Sequence, residues 1–381
     1  MTVIVPIQVL RAAAATAVVV GHFQGVTSPT PEYFVPYAKA ASAGVDLFFI
    51  ISGFVMVYAS EPMFGRADGP LSFFARRAIR IIPLYWLATT GYVLLAAAVP
   101  SFLEVPYSAR FVLSSYLFIP AARPDGAMNP VVGQGWTLNY EMLFYLIFAV
   151  GVLGTRRVAV AASSLAIAAL IAAGRIFEPS SLALAFWTDS IMIEFVFGMV
   201  LGLAYREGLR LPKWLSAAVL VAGLILFYVN LGIFEIPRAL ENGIVIPRCI
   251  AYGIPAAVVV AGATLGDFSL GGGIWRLLAI VGDASYALYL VHALPVRAMI
   301  QGFKLTGVSV DAHRLVCLVM TVGVAAVVAV MIYYLFERPV TLALRSLVGQ
   351  FAILRSIRQE PKIATEIATK PAPAPPTPTA G

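Results

Sequence analysis

The sequence predicts an all-α integral membrane protein, a bundle of about ten transmembrane helices with both termini cytoplasmic. Three observations carry this. Hydrophobic residues make up 60% of the 381 residues and charged ones only 12%, with a mean hydropathy of +0.89, a balance foreign to soluble domains of this length. Apolar windows long enough to span recur at 7–26, 40–59, 79–99, 135–153, 157–174, 186–205, 213–230, 244–264, 276–300 and 314–336. The basic residues between them alternate by side. Arg66, Arg76, Arg77, Arg80, Arg156, Arg157, Arg206 and Arg210 fall in loops that an inside N-terminus makes cytoplasmic, whereas few, such as Arg110, Arg123 and Arg175, fall outside. The net charge of +7 follows from that topology and calls for no nucleic-acid partner.

The first window sets Arg11 and His22 in apolar surroundings. An Arg at the centre of a bilayer costs about 2.5–3.5 kcal/mol on insertion scales, so ionisable residues there mark candidate sites. Arg11 and His22 are separated by about 1100° of helix and share one face, roughly 16 Å apart along the axis. No basic n-region precedes this window, which therefore reads as a retained helix rather than a signal peptide. The second window carries Asp46 near its outer end and Ser52-Gly53 deeper. At the cytoplasmic end of the third stand Arg76, Arg77 and Arg80, neighbours on a helix surface. Guanidiniums so placed suit phosphate, although a snorkelling positive-inside cluster has the same composition.

The run 111–120 is too short to cross and reads as a re-entrant or interfacial piece. The fourth window, running inward, holds Trp136, Glu141 and Tyr145 and puts Glu141 at the depth of His22, where the two are expected to meet. Two readings of that pair stand: a general base with its supporting charge, or a buried pair that only holds two helices together. In the ninth window Asp283, Ser285 and His292 read as hydrogen-bonding glue between helices, and His313 as a solvated loop residue. Cys249 and Cys317 fall in apolar windows and read as buried small hydrophobes. Neither a P-loop nor a His/Cys cluster is present, so neither nucleotide hydrolysis nor a metal site is expected. Residues 1–345 form the predicted membrane domain, and 346–381 a basic, then Pro/Ala/Thr-rich, disordered cytoplasmic tail.

Six motifs in order bear a family likeness. They are Arg11 running to His22, the stretch 44–54, Arg76 to Arg80 with Pro83-Leu84-Tyr85, Gly135-Trp136-Thr137-Leu138 with Glu141 and Tyr145, Ser285-Tyr286 through His292, and Glu337-Arg338-Pro339. Spread over residues 4–345, they resemble the acyltransferase-3 family of integral-membrane O-acyltransferases. The resemblance implies transfer of an acyl group, commonly acetyl, from acyl-coenzyme A to a carbohydrate hydroxyl, without a metal, by a multi-pass protein of the bacterial inner membrane. It makes His22 the catalytic base with Glu141 and Arg11 beside it, Arg76, Arg77 and Arg80 the coenzyme A contacts, and Asp46, Ser52, Trp136 and Tyr145 substrate-binding residues. The implied partners are the lipid bilayer, a carbohydrate acceptor and the polysaccharide biosynthesis machinery. Longer members carry a second, hydrolase-like domain, so the short tail points to the exopolysaccharide or lipid-linked sugar enzymes. The rival class is a proton-coupled secondary transporter of a polar solute, which predicts inverted repeats that the sequence does not display.

Overall fold

The structure, a computed structural model, describes residues 4–28, 31–98, 107–123, 126–233, 247–266, 268 and 270–348, the side chains of 31–42 and 230–233 excepted. Among these residues the chain is helical, with one isolated bridge between Leu211 and Gly266. The predicted tail lies outside the described residues, save that the last helix runs on as far as Val348.

The helices are α1 (Val5–Thr27), α2 (Pro31–Ala59), α3 (Gly69–Ala98), α4 (Ala109–Tyr116), α5 (Trp136–Gly151), α6 (Arg156–Phe177), α7 (Leu182–Trp187) and α8 (Ile193–Arg206). There follow α9 (Lys213–Ile233), α10 (Ile254–Leu265), α11 (Gly273–Asp283), α12 (Ser285–Val291), α13 (Ala293–Leu305) and α14 (Arg314–Ile332). The described part of every predicted window is largely helical. Among the described residues five helices are long and apolar enough to cross a membrane, or six if α11 and α12, bent by 55°, count as one. Three further apolar helices, Ala43–Ala59, Lys213–Val229 and Cys249–Leu265, are shorter among the described residues. α5 has only 16 residues, and the described part of the window at 244–264 opens with a π-helical turn at Cys249–Gly253.

The centre of the bundle is α2, packed chiefly on α8 and α1. Backbone proximity makes this packing possible. A Cβ at Gly53 would strike the Phe195 carbonyl, and one at Gly198 the Ile50 carbonyl, so small residues let α2 and α8 meet backbone to backbone. Gly282 does the same for α11 against Gln8 of α1. Ion pairs then tie the ends. Arg156 donates to Glu61 at 2.9 Å and to Glu207 at 3.4 Å, joining the ends of α2, α6 and α8 that the charge pattern assigns to one side. On the other side Arg314, at the start of α14, donates to Gln24 Oε1 at 2.7 Å and to the Thr27 carbonyl at 3.2 Å. A cation on the last carbonyls of α1 complements that helix end.

Short α4 folds back against the middle of α3. The Tyr85 hydroxyl donates to the Ser115 carbonyl at 3.1 Å and Trp86 Nε1 to that of Tyr116 at 2.9 Å. Both cysteines are buried and free.

Candidate active site

Five helices carry polar side chains to two cavities. Along α1 the polar side chains are Arg11 and His22, on α3 Arg77, Arg80 and Tyr92, on α5 Glu141 and Tyr145, and on α12 and α13 Ser285, Tyr289 and Arg297. On α1 and α3 one set faces the first cavity and the rest the second, whereas the polar groups of α5 and α12 face the first and Arg297 of α13 the second.

The first cavity, about 100 Å³, is lined by Arg11, Arg77, Arg80, Glu141, Tyr145 and Ser52 together with apolar side chains of α2. Arg11 Nε donates to Ser285 Oγ at 3.0 Å, and Ser285 is in place because the chain breaks at Ala284 and α12 starts there. The Tyr145 hydroxyl donates to Glu141 Oε2 at 2.7 Å, one helical turn away. Tyr286 ties α12 to α3 through the Ile81 carbonyl at 2.8 Å. Guanidiniums outnumber carboxylates on these walls, and Arg345 adds charge within reach of Arg80 and Arg76.

The second cavity, about 220 Å³, holds His22, which is exposed to it. His22 Nδ1 lies 3.0 Å from the Val18 carbonyl. A carbonyl only accepts, so Nδ1 carries the proton and Nε2 keeps its lone pair for a substrate. The ring meets that of His292 edge-on, centroids 4.5 Å apart. His292 is fully buried, its Nδ1 donating to the Tyr289 carbonyl at 2.8 Å, and its Nε2 has no hydrogen-bond partner.

Between the cavities stands Tyr289. Its hydroxyl donates to the Gln134 carbonyl at 3.0 Å and accepts from Thr137 Oγ1 at 3.1 Å. Tyr289 and Thr137 line the first cavity and Gln134 the second, so this bonded trio forms the septum.

The predicted site residues are therefore partly brought together. Arg11, Arg77, Arg80, Glu141, Tyr145 and Ser52 share one cavity. The expected meeting of His22 with Glu141 does not occur: Glu141 bonds Tyr145 in the first cavity, while His22 faces the second and touches His292. The reason lies at the start of α5. Its leading turn, Gly133–Gly135, is already inside the bundle at the level of His22, so Glu141 lies about 10 Å further along the axis. Arg76 is exposed on the other face of α3 and lines neither cavity. Trp136 packs edge-on against Phe49 and Tyr140, away from both.

Asp46 is fully buried and gripped by Arg248, whose Nε and Nη2 reach its two oxygens at 2.9 and 2.8 Å. It too lines neither cavity. Beside this pair lies Glu194, fully buried. Arg248, Glu194 and Arg297 were missed in the sequence although all three fall inside apolar windows, where the cost of an ionisable side chain is the signal that finds them. No group of metal-ligating side chains occurs among the described residues.

The chain matches the acyltransferase-3 family, described as an acyltransferase domain, over residues 5–335. It is 34% identical over 302 residues to the exopolysaccharide production protein ExoZ of Rhizobium meliloti (strain 1021), covering 78% of this chain and 89% of that one. It is 26% identical over 297 residues to the acyltransferase MdmB of Streptomyces mycarofaciens, covering 70% of each chain. No solved structure matches.

Proposed function

From the premise that this chain belongs to the acyltransferase-3 family and is an acyltransferase, we propose that it moves an acyl group, acetyl in the first instance, from acyl-coenzyme A to a hydroxyl of a cell-surface polysaccharide or lipid-linked sugar. It does so as a multi-pass protein of the bacterial inner membrane, alongside the polysaccharide biosynthesis machinery. The relative named for exopolysaccharide production supports the acceptor class. The observation that carries the mechanism is the tautomer of His22: Nδ1 is committed to the Val18 carbonyl, and Nε2 is left as a base at the wall of an open cavity.

In this reading the donor enters from the cytoplasm. Its phosphates meet Arg77 and Arg80, whose planar forks suit phosphate oxygens. The acyl-pantetheine end extends into the first cavity, and the nucleotide stays at its guanidinium mouth. Arg76, on the outer face of α3, is left to the lipid headgroups. The thioester passes Tyr289 to reach His22. Nε2 then takes the proton of the acceptor hydroxyl as its oxygen attacks the thioester carbonyl; the carbon–sulfur bond breaks, and the departing thiolate recovers that proton as the free thiol. His292, edge-on to the working ring, acts as a positioning residue. Glu141 holds the guanidiniums of the first cavity in register rather than supporting the imidazole.

Purified full-length protein incubated with radiolabelled acetyl-coenzyme A and an oligosaccharide acceptor tests this. Acceptor-dependent release of free coenzyme A, with label in the sugar, is expected. Transport of the sugar across a proteoliposome without label transfer would return the chain to the transporter class.

A further inference from the structure

Resting on the acyl-coenzyme A reading above, we infer that Glu337 is a positioning residue of the donor site. It is the buried counter-charge that lets Arg11 and Arg80 stand together at the first cavity and keeps Arg80 turned to the donor's phosphates. Glu337 closes the π-helical turn Tyr333–Glu337 in the last helix. Its neighbours Tyr334, Leu335 and Arg338 are exposed on the outside of that helix, whereas Glu337 is only 6% exposed. A carboxylate buried on a membrane helix is costly and marks a candidate site. The widened turn is what points it inward. In a regular helix Glu337 would lie about 80° round from the buried Ala329. A π turn takes one residue more than an α turn and brings the two back towards one face.

The surroundings of Glu337 are cationic. Arg80 and Arg11 both act on it through space, with Asp283 opposing them, and α3, which carries Arg80, packs on the π turn. Both guanidiniums line the first cavity, whereas Glu337 lines neither cavity and so backs the wall they form. Like charges at one low-dielectric wall repel, and Arg80 faces Arg77 and Arg345 as well as Arg11. Arg11 is anchored, its Nε donating to Ser285 Oγ at 3.0 Å. Arg80 takes its direction from the carboxylates within electrostatic reach, Glu141, Asp283 and Glu337. Of these, Glu141 is engaged by Tyr145 at 2.7 Å, and Asp283 is half-buried, where water and salt screen it. Glu337 Oε2 is buried with no hydrogen-bond partner among the described residues, so its field acts on the guanidiniums undivided. Without that charge Arg80 turns away from Arg11 and loses its planar, two-point grip on phosphate.

Purified full-length protein is given an oligosaccharide acceptor and one of two donors, acetyl-coenzyme A or S-acetylpantetheine, which bears the same thioester on the same arm but no phosphate. The quantity read is the ratio of kcat/KM for the two donors, and wild type should favour acetyl-coenzyme A. Glu337→Gln keeps the shape and removes the charge. It should lower the ratio about tenfold, through the KM for acetyl-coenzyme A rather than through kcat. Glu337→Asp draws the charge back by one methylene; it should lower the ratio severalfold, and it serves where the Gln variant fails to fold. In an Arg80→Lys background Glu337→Gln should add little, because the guanidinium it positions is gone. An equal loss on both donors would make Glu337 merely structural and overturn the inference. A wild-type ratio in both Glu337 variants overturns it too, as does a full additional loss in the Arg80→Lys background. If wild type itself uses the two donors equally, the phosphates are not read and the acyl-coenzyme A reading falls instead.

Discussion

At the scale of single residues, His22 is the position on which the chemistry turns. His22→Gln keeps a side chain that hydrogen-bonds but is not basic, so transfer should fall by about 10² to 10⁴, the usual contribution of a general base. Folded protein should remain in the membrane; transfer at the wild-type rate would recast His22 as structural. Glu141 gives a contrasting test, because its neighbours are Tyr145 and the guanidiniums rather than an imidazole. Glu141→Gln should act on the donor, raising the KM for acyl-coenzyme A about tenfold and leaving the pH profile of the rate unmoved. A shifted profile with normal donor KM would place Glu141 back on the imidazole. What the sequence reveals here is which side chains are costly: Arg11, His22 and Glu141 stand out because lipid is a poor solvent for them. Which of them touch is not legible. Depth estimated from a hydropathy window carries the error of where that window starts, and it is Gln134, not Glu141, that reaches the His22 cavity.

At the scale of elements, the breaks in helices explain the placement of the polar groups. The bend at Ala284 offers Ser285 to Arg11, and the π-helical turn at Cys249–Gly253 follows directly on Arg248, which grips Asp46 on α2. Gly53 on α2 was readable as a site of close approach, but its partner Gly198 on α8 was not, since one chain does not state which faces meet. The Asp46–Arg248 pair joins α2 to the chain leading into α10, so Asp46→Asn should behave as a stability variant. Removing one partner of a buried ion pair costs about 3–5 kcal/mol because the other charge stays buried. A lower unfolding temperature in detergent, with transfer per folded molecule little changed, is the expected result; full stability with lost acceptor binding would make Asp46 a substrate residue. Tyr289 carries the second prediction at this scale. Its hydroxyl links Gln134 and Thr137 across the septum. Tyr289→Phe loosens that barrier and lets water toward the thioester, so acceptor-independent hydrolysis of acetyl-coenzyme A should rise several-fold relative to transfer. An unchanged ratio would show that water is excluded elsewhere.

For the whole molecule, composition and charge pattern disclosed a helical membrane protein, and the ion pairs between Arg156, Glu61 and Glu207 join ends that the charge pattern put on one side. Bends inside the windows were not legible, because hydropathy averages over features such as the 55° bend between α11 and α12 and the π-helical turn at Cys249–Gly253. The basic end of the bundle poses the remaining question, since Arg77 and Arg80 answer equally to topology and to ligand binding. The two demands part when charge is kept and geometry changed. Topology counts charge, and Lys satisfies it as well as Arg. Phosphate held between planar forks needs the guanidinium, and Lys offers only a point charge. Arg77 and Arg80 both reach the first cavity while Arg76 does not, so the effect should be confined to that pair. The double variant Arg77→Lys with Arg80→Lys should insert normally and raise the KM for acyl-coenzyme A about tenfold, or roughly 1.4 kcal/mol of binding. Arg76→Lys in the same assay should leave that KM where it was. If both variants bind donor as wild type does, the cluster serves orientation alone, and the phosphates must meet a different cation, with Arg345 at the same mouth the first to be tried.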